Sequence, residues 1–279
     1  DLEGFANALK VDCTTADTSL ASNEQGYISY FAEGRDCQRL KKGHGGDAVP
    51  TTLSFYVKTN KTGLYTVSFF DRDNTRKVNG SYTVANTNWN RYSITFPADA
   101  SGKLDDNNAS SLEIFFNLYA GADTNTGTLY TAWQASADAG STTGQVNFAD
   151  STSNDWEITG VQLEVGSEAT PFEHKTFSQE LHACRRYYSR RYIGNIGIGW
   201  CAGASQWNYS PMTLVPEMRA SPTSSYQGGV SAGTWVTATQ KGVSTNSSEV
   251  HTIYHMSSGA ANDIYVSGSD FYIIADAEL

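Results

Sequence analysis

The sequence predicts an all-β protein made of two β-rich units that are joined by a short helix. Only 17% of the residues are charged, while Gly, Ser, Thr and Asn are abundant, as in all-β proteins with many turns. Short runs of apolar and β-branched residues with period-two alternation recur up to residue 165. Near residue 176 the apolar period changes to that of a helix, and strand-like runs then resume.

The first unit contains a succession of candidate strands separated by turn-forming residues. Residues 53–58 alternate cleanly, and the Asn-Lys-Thr-Gly run at 60–63 is a turn before the next candidate. The other candidates are residues 27–31, 64–70, 81–84, 91–96, 112–118 and 156–165, with weaker ones at 130–133 and 146–148. We therefore expect about eight to ten strands, the number typical of a jelly roll or a related sandwich. Residues 136–143 are expected to form an exposed loop.

The change from strand to helix follows residue 165. Gly166 ends the strand, and Pro171 keeps the residue before it out of the helical region. Thr176 is suited to cap the helix, with Gln179 as its partner in a capping box. One helical face carries the apolar residues Phe177, Leu181, Cys184 and Tyr188. We expect this face to pack against the adjacent β-rich units, because it is far too short for a coiled coil.

The same segment resembles a known family. Residues 158–166 read ITGVQLEVG, and the matching residues that follow are Ala169 to His174, Glu180, Leu181, Cys184 and Arg186 to Tyr188. This pattern is similar to the closing signature of a carbohydrate-binding-module-like jelly roll in phage tail-fibre-like virion proteins. Residues 53–58, 89–92 and 105–107 resemble the same module, which covers most of residues 1–190. Residues 216–223, which read PEMRASPT, have a weaker similarity to a sequence element that often follows this module in the family.

The resemblance implies an organisation and a function. It implies a jelly-roll domain at residues 1–173, a linker helix at 174–191 and a distal β-rich domain at 192–279. Proteins of this kind are homotrimers that assemble with other tail or fibre proteins. We therefore expect a non-enzymatic virion protein, assembled in the host cytoplasm, that recognises a host-surface glycan or protein. Two alternatives stay open: a capsid- or tail-decorating protein without a receptor, and a component that degrades surface polysaccharide.

The start of the chain departs from the family pattern. Family members usually begin earlier, with a short strand segment that does not precede Asp1 in this sequence. The expected origins are a processed chain or the ordered part of a longer protein, and the pairing of the first strand stays open.

Candidate ligand-binding residues lie in the distal unit. A sugar ring stacks on Trp or Tyr, while its hydroxyl groups need amide or charged partners. Trp207, Asn208 and Tyr209 lie in a polar run that reads as a loop, which makes Trp207 the first candidate. Trp200 and Trp235 are further candidates. Packing in a core is the alternative role for each of these aromatic residues.

The predicted helix concentrates positive charge. Cations near a helix C-terminus complement the helix dipole, which is one role for Arg185 and Arg186. Pairing with carboxylates of a neighbouring subunit is the other role. The predicted oligomer contact therefore consists of Phe177, Leu181, Arg185, Arg186 and Tyr188.

Two acidic runs offer weak candidates for a Ca²⁺ site. Asp71 and Asp73 lie in one run, and Asp105 and Asp106 lie in the other. Ca²⁺ binds six to eight oxygen atoms, often from such loops. The glycine and the terminal glutamate of an EF-hand are missing, however, and turn formation explains both runs without a metal. No cofactor is therefore predicted, with Ca²⁺ as the alternative.

Composition and motifs argue against several other classes. The net charge of -10 argues against nucleic-acid binding, which needs a basic face. No run approaches the roughly 20 apolar residues that span a bilayer, and no G-x-S-x-G or H-E-x-x-H motif occurs. The four cysteines form no C-x-x-C pair, which predicts buried free thiols, with a Cys13–Cys37 bridge as the alternative.

Overall fold

The chain folds into two units built from antiparallel strands, which confirms the predicted all-β class. The structure is a computed structural model that describes residues 2–192, 196–201, 207–227, 231–232, 237–245, 249–258, 262–267 and 272–278. Within these ranges, side-chain surroundings are described for residues 2–192, 213–225 and 272–278. The units are Asp1–Glu173, termed the jelly-roll unit below, and His174–Leu279, termed the distal unit.

The jelly-roll unit is a sandwich of two sheets. Its strands are β1 (Leu9–Asp12), β2 (Gln25–Glu33), β3 (Thr51–Thr59), β4 (Gly63–Asp71), β5 (Arg76–Val84), β6 (Asn90–Phe96), β7 (Ser110–Ala120), β8 (Gln134–Ala135) and β9 (Asp155–Val165). One sheet has four strands in the order β1-β9-β3-β6, and the other has five in the order β2-β7-β4-β5-β8. A short helix, α1 (Gly34–Cys37), follows β2, and 3-10 turns occupy Gln38–Leu40, Gly45–Asp47 and Phe148–Asp150.

The strand pairing is nested, as in a long antiparallel hairpin that has been rolled up. β4 pairs with β5, β3 with β6, β2 with β7, and β1 with β9. Successive pairs of this nest alternate between the two sheets. This arrangement is a jelly roll, in which only the two-residue strand β8 lies outside the nest. The pairing of the first strand, which the sequence leaves open, is therefore with β9.

The core lies between the two sheets and is rich in aromatic side chains. Alternate residues of each strand face it because the side-chain period of a strand is two. The Phe55 ring packs edge to face on Phe116, with ring centroids 5.2 Å apart. Trp156 is fully buried, and its Nε1 donates a hydrogen bond to Tyr82 Oη at 3.3 Å.

The sequence predictions for the segment between β7 and β9 need correction. Residues 130–133 and 146–148 are not strands, since the segment contains only β8 and the 3-10 turn at Phe148–Asp150. Residues 136–143 are not a fully exposed loop, since Ser141 and Thr142 are buried. The reason is a set of contacts that sequence spacing does not indicate, including a hydrogen bond from Lys77 Nζ to Ser141 Oγ.

The helix after the jelly-roll unit is shorter than predicted. This helix, α2, spans Phe177–Cys184, and the capping box of Thr176 and Gln179 is present as predicted. The amides of Arg186 and Tyr187 then bond three residues back, which tightens the chain into a turn. Tyr188 consequently lies in the strand β10 (Tyr188–Tyr192). The predicted linker helix at 174–191 is therefore wrong before Phe177 and beyond Cys184.

The apolar face of α2 is exposed. None of its residues is buried, and the side chain of Phe177 is 80% exposed. The prediction that this face packs against the β-rich units is therefore wrong. None of the described helices has the length and apolar character that crossing a membrane requires.

The described part of the distal unit contains three sheets of three strands each. After β10, the strands are β11 (Ile196–Cys201), β12 (Trp207–Thr213), β13 (Thr223–Gln227), β14 (Ser231–Ala232), β15 (Thr237–Thr245), β16 (Glu249–Ser258), β17 (Asn262–Ser267) and β18 (Tyr272–Asp276). The sheet orders are β10-β18-β13, β11-β17-β14 and β12-β16-β15. In the first of these sheets, the buried residues Ile273 and Ala275 of β18 lie at alternate positions.

The cysteines with described side chains are free thiols. Cys13 and Cys37 are buried and unbridged, so the alternative bridge between them does not form. Burial raises the pKa of the Cys37 thiol to about 12, because the thiolate would lose its hydration. Cys184 is exposed on α2, which corrects the prediction that the cysteines are buried. The side chain of Cys201 lies outside the described residues.

Candidate ligand-binding face

The outer face of the five-stranded sheet combines aromatic and polar side chains. Along β7, the core contains the alternate residues Leu112, Ile114, Phe116 and Leu118. Glu113, Phe115 and Asn117 lie between them and therefore belong to the outer face.

The register of the sheet aligns these residues with the outer-face residues of neighbouring strands. Phe115 is aligned with Ser29 on β2 and with Ser68 on β4, and Ser68 is aligned in turn with Asn79 on β5. The next row across the sheet contains Phe31, Glu113, Phe70 and Lys77. On the other side of Phe115, Tyr27 is aligned with Asn117.

Phe115 and Tyr27 form a pair of rings that we term the aromatic platform. Their ring centroids are 4.8 Å apart, and the ring planes meet at 84°. Tyr27 is 42% exposed and Phe115 is half-buried, so part of the platform faces solvent. Aromatic rings of this kind present an apolar surface on which the apolar face of a sugar ring can stack.

Buried amide and hydroxyl groups lie beside the aromatic platform. Asn117, Ser68 and Thr66 are 5%, 1% and 0% exposed, so they support the sheet and offer little access to a ligand. Asn117 Nδ2 donates hydrogen bonds to Thr66 Oγ1 at 3.1 Å and to Ser68 Oγ at 3.3 Å. Asn79 is 2% exposed, and its Nδ2 donates to the carbonyl oxygen of Tyr130 at 3.2 Å. Asn79 Oδ1 is a buried acceptor without a donor. Leaving such an atom unpaired costs about 1–3 kcal/mol.

The charges on this face differ in their pairing. Arg72 Nη1 contacts the Glu113 carboxylate at 2.7 Å, and its guanidinium lies 5.5 Å from the Phe31 ring centroid. Lys77 Nζ donates to Ser141 Oγ at 3.3 Å and lies 5.7 Å from the Phe115 ring centroid. Burial lowers the pKa of Lys77, and the negative charges of nearby carboxylates oppose this shift only in part.

The segment between β7 and β9 borders the face and fixes its edge. Gln145 is 6% exposed, and its side-chain amide bridges β4 and β7 where their ladder ends. The Thr66 amide donates to Gln145 Oε1 at 2.7 Å, and Gln145 Nε2 donates to the carbonyl oxygen of Leu118 at 3.1 Å. The Gln145 side chain thus takes the place of a main-chain hydrogen-bond pair between β4 and β7 and links the two strands.

A separate group of charges is buried around Lys42. Its Nζ contacts the Asp71 carboxylate and lies 3.0 Å from the Asp99 carboxylate. These three side chains are 6%, 0% and 4% exposed, so the group offers little access to a ligand. Arg76 donates to both oxygens of Asp99 at 2.8 and 2.9 Å, which balances two cations against two carboxylates. The Trp133 ring centroid lies 4.6 Å from Lys42 Nζ.

The acidic runs considered for Ca²⁺ make contacts within the protein. The Asp71 carboxylate contacts Lys42 and also accepts from the Asn74 amide at 2.9 Å, as in a turn. Asp73 Oδ2 accepts from the Asp105 amide at 2.9 Å, and Asp106 adjoins this contact. In the part of the chain that the structure describes, no group of three or more His, Cys, Asp or Glu side chains is placed to hold a metal.

The signature residues hold the end of the jelly-roll unit together. Gln162 Oε1 accepts from the Glu173 amide at 2.8 Å, and Glu164 Oε2 accepts from the Thr170 amide at 3.1 Å. The guanidinium of Arg91, on β6, donates to the carbonyl oxygen of Thr170. Residues 166–173 therefore fold back over the outer face of the four-stranded sheet.

The glycine of the signature makes room for an aromatic contact on that sheet. Gly160 has φ +59°, and a Cβ there would lie 2.8 Å from the Phe5 ring. Phe5 packs on Tyr56 and on Phe172, with ring centroids 5.2 and 5.1 Å apart. We term these contacts around Phe5 the terminal clasp. Within the signature, residues 160–173 thus make structural contacts in the jelly-roll unit.

Comparisons with known proteins add little to this geometry. No family model matches the chain, and no curated protein matches it. Among solved structures, recombinant discoidin II of Dictyostelium discoideum is similar at 9% identity and a TM-score of 0.22, with 96% of this chain and 94% of that chain covered. The wild-type discoidin II from Dictyostelium discoideum is similar at 10% identity and a TM-score of 0.22, with 96% and 92% covered. At these scores the likeness supports no inference, so the architecture rests on the strand pairing.

The ligand candidates of the distal unit lie in strands where the structure describes them. Trp207 to Tyr209 belong to β12, where Trp207 is aligned with His255 and Tyr209 with Ile253 of β16. The interpretation of this run as a loop is therefore wrong from Trp207 onward, because its backbone pairs with β16. Trp200 and Asn208 likewise lie in strands. The side chains of these four residues lie outside the described residues, as does Trp235 entirely.

The predicted oligomer residues are divided between three elements. Phe177 and Leu181 lie one turn apart on α2, Arg185 and Arg186 lie in the turn that follows, and Tyr188 begins β10. Tyr188 is 42% exposed and Leu181 is half-buried. They therefore do not form one continuous helical face.

The outer-face residues were not among the sequence candidates. The alternation that predicts the β7 strand also separates Glu113, Phe115 and Asn117 from the core residues. The alignment of Phe115 with Ser68 and Asn79 depends on strand register, which the alternation of one strand does not specify. A search for aromatic and amide residues on the polar side of each predicted strand would have found this face.

Proposed function

We propose that the jelly-roll unit binds a glycan on the outer face of its five-stranded sheet, without catalysing a reaction. The observation that carries this proposal is the partly exposed aromatic platform of Phe115 and Tyr27, together with the half-buried Ser29 and Lys77 and the exposed Arg72. A sugar needs this combination, because its ring has an apolar face and its hydroxyl groups need polar partners.

Replacing Phe115 with alanine is expected to weaken glycan binding about tenfold or more, since removal of an aromatic anchor commonly has an effect of this size. The measurement is binding to an immobilised panel of bacterial lipopolysaccharides and capsular polysaccharides, with release of reducing ends followed in the same samples. Tyr30→Ala is the matched control, because Tyr30 is 59% exposed and is aligned with the core residue Ile114 rather than with the outer face.

Three outcomes would count against the glycan-binding function. Failure of the wild-type chain to bind any member of the panel would contradict it. Equal losses of binding affinity in Phe115→Ala and Tyr30→Ala would show that the glycan does not bind at the outer face. Release of reducing ends by the wild-type chain would support the polysaccharide-degrading alternative instead.

We further propose that the chain is a tail-fibre or fibre-like component of a phage virion and assembles as a homotrimer. The resemblance of residues 158–188 to the family signature supports the virion role. The exposed apolar face of α2, with Phe177 80% exposed, supports burial against another subunit. Trp200, Trp207, Asn208, Tyr209 and Trp235 remain candidates for a second receptor site in the distal unit, with host-surface glycan or protein as the partner.

Light scattering tests the assembly. The expected mass is that of three chains of 30.3 kDa each. Phe177→Ser should shift the chain toward lower mass, whereas Val161→Ser, at a 45% exposed position on β9, should not. A monomeric wild-type chain would contradict the trimer. A trimer that binds no polysaccharide and no host cells would support the decorating alternative.

A further inference from the structure

Lys77 differs from the other cations of the jelly-roll unit in how its charge is compensated. Among the described residues of this unit, the other buried or half-buried cations each contact a carboxylate, and they are Lys42, Lys58, Lys61 and Arg76. Lys77 is also half-buried, but no carboxylate of the described side chains lies at ion-pair distance from its ammonium group. Its described polar contact is a neutral one, to Ser141 Oγ at 3.3 Å.

The surroundings of Lys77 place this charge beside the aromatic platform. Its Nζ lies 5.7 Å from the centroid of the Phe115 ring. Glu113 lies in the same row of the sheet, but its carboxylate is bonded to Arg72 at 2.7 Å. Asp138 is the other carboxylate whose charge acts on Lys77, from beyond ion-pair distance. The outer face thus holds a half-buried cation that forms no ion pair with the residues that the structure describes.

We propose that Lys77 binds the carboxylate of an acidic sugar whose ring stacks on Phe115. The inference rests on the proposed glycan-binding function and specifies the class of glycan. A carboxylate is a substituent at the edge of a sugar ring, so a ring over Phe115 directs it toward a cation beside the platform.

Binding of a carboxylate to Lys77 is favourable because the ammonium group is already partly dehydrated. A hydrogen bond between opposite charges is stronger than a neutral one, and it strengthens further where water is scarce. Burial already lowers the pKa of Lys77, which indicates that its charge is poorly solvated before a ligand binds. A neutral sugar would leave the ammonium group without an opposite charge, whereas the carboxylate of an acidic sugar would form an ion pair with it.

The experiment compares one polysaccharide in two chemical forms. The probe is the tightest-binding uronic-acid-containing capsular polysaccharide of the panel, together with the same polymer after chemical reduction of its carboxyl groups to alcohols. Wild-type binding is expected to fall about tenfold or more on carboxyl reduction. Lys77→Gln should bind both forms equally and at the reduced level, while Lys77→Arg should retain the preference for the acidic form.

Two further variants make the result interpretable. Lys103→Gln removes an exposed lysine of the same unit and should leave the preference unchanged. Phe115→Ala should weaken binding of both forms, which reports on the proposed function itself. If Phe115→Ala weakens binding but wild type does not distinguish the two forms, the acidic-sugar inference is overturned and the glycan-binding function stands. If wild type binds only neutral polysaccharides, or none, the inference is likewise overturned.

Discussion

Replacing Lys42 with methionine is expected to lower the free energy of unfolding of the jelly-roll unit by about 3–5 kcal/mol, the usual cost of removing one partner of a buried ion pair. Methionine fills a similar volume but leaves Asp71 without its ion-pair partner and Asp99 with Arg76 alone. Both carboxylates are almost fully buried, so water cannot replace the lost contacts. Urea denaturation followed by tryptophan fluorescence measures the effect.

The pH dependence of this effect provides an internal check. Burial raises the pKa of Asp99, but hydrogen bonds from Arg76 and Lys42 outweigh burial and lower the pKa overall. A lowered pKa stabilises the folded state above the unfolded pKa of about 3.9, and this contribution is lost as the pH falls through the folded value. The difference between wild type and Lys42→Met should therefore be largest near neutral pH and decrease in acid.

Lys61→Met is the matched control, because Lys61 forms an ion pair with Asp150 in which both side chains are about one-third exposed. Such a pair contributes roughly 0–1 kcal/mol. Equal losses of stability in the two variants, or a Lys42→Met deficit that does not change with pH, would contradict the role assigned to the buried charges.

Replacing Gln145 with leucine is expected to lower the free energy of unfolding by about 2–4 kcal/mol, because two buried backbone groups lose their partners at once. The Thr66 amide and the Leu118 carbonyl both bond the Gln145 side chain, which lies where β4 and β7 no longer pair. Leucine has a similar size but neither accepts nor donates. Urea denaturation measures the loss, and hydrogen exchange should show faster exchange at the Thr66 amide.

Gln134→Leu is the control for this substitution. Gln134 is exposed on β8, so its replacement should change stability by less than about 0.5 kcal/mol. A Gln145→Leu variant with wild-type stability and unchanged exchange at Thr66 would show that the side-chain amide does not support the sheet.

The strands and the core were largely predictable because they depend on local alternation. The alternation of β3, in which Leu53, Phe55 and Val57 are fully buried, is visible in six consecutive residues. The capping box of Thr176 and Gln179 was predictable for the same reason, since its partners are three residues apart. Where the two partners of an interaction are close in sequence, composition and spacing are sufficient.

Interactions between residues that are far apart in sequence could not be predicted from composition and spacing. Lys42 and Asp71 are 29 residues apart, and Thr66 and Gln145 are 79 apart, so only the rolled topology brings each pair together. The apolar spacing also predicts too late an end for α2, because Tyr188 continues the helical period. Pairing of β10 with β18, more than 80 residues later, determines its conformation instead. The candidate face was the least predictable feature, because every row of it combines residues from several strands.

The antiparallel pairing of β1 with β9 determines how the jelly-roll unit would respond to mechanical tension. Leu9 is aligned with Ile158 and Asp12 with Asp155, so the entering chain and the departing chain leave this pair at the same end. A pulling force between Leu2 and His174 would therefore open the pair like a zipper, one hydrogen bond after another, rather than shear all bonds together. The terminal clasp lies at that end, so the contact of Phe5 with Phe172 would break before any strand is peeled from the sheet.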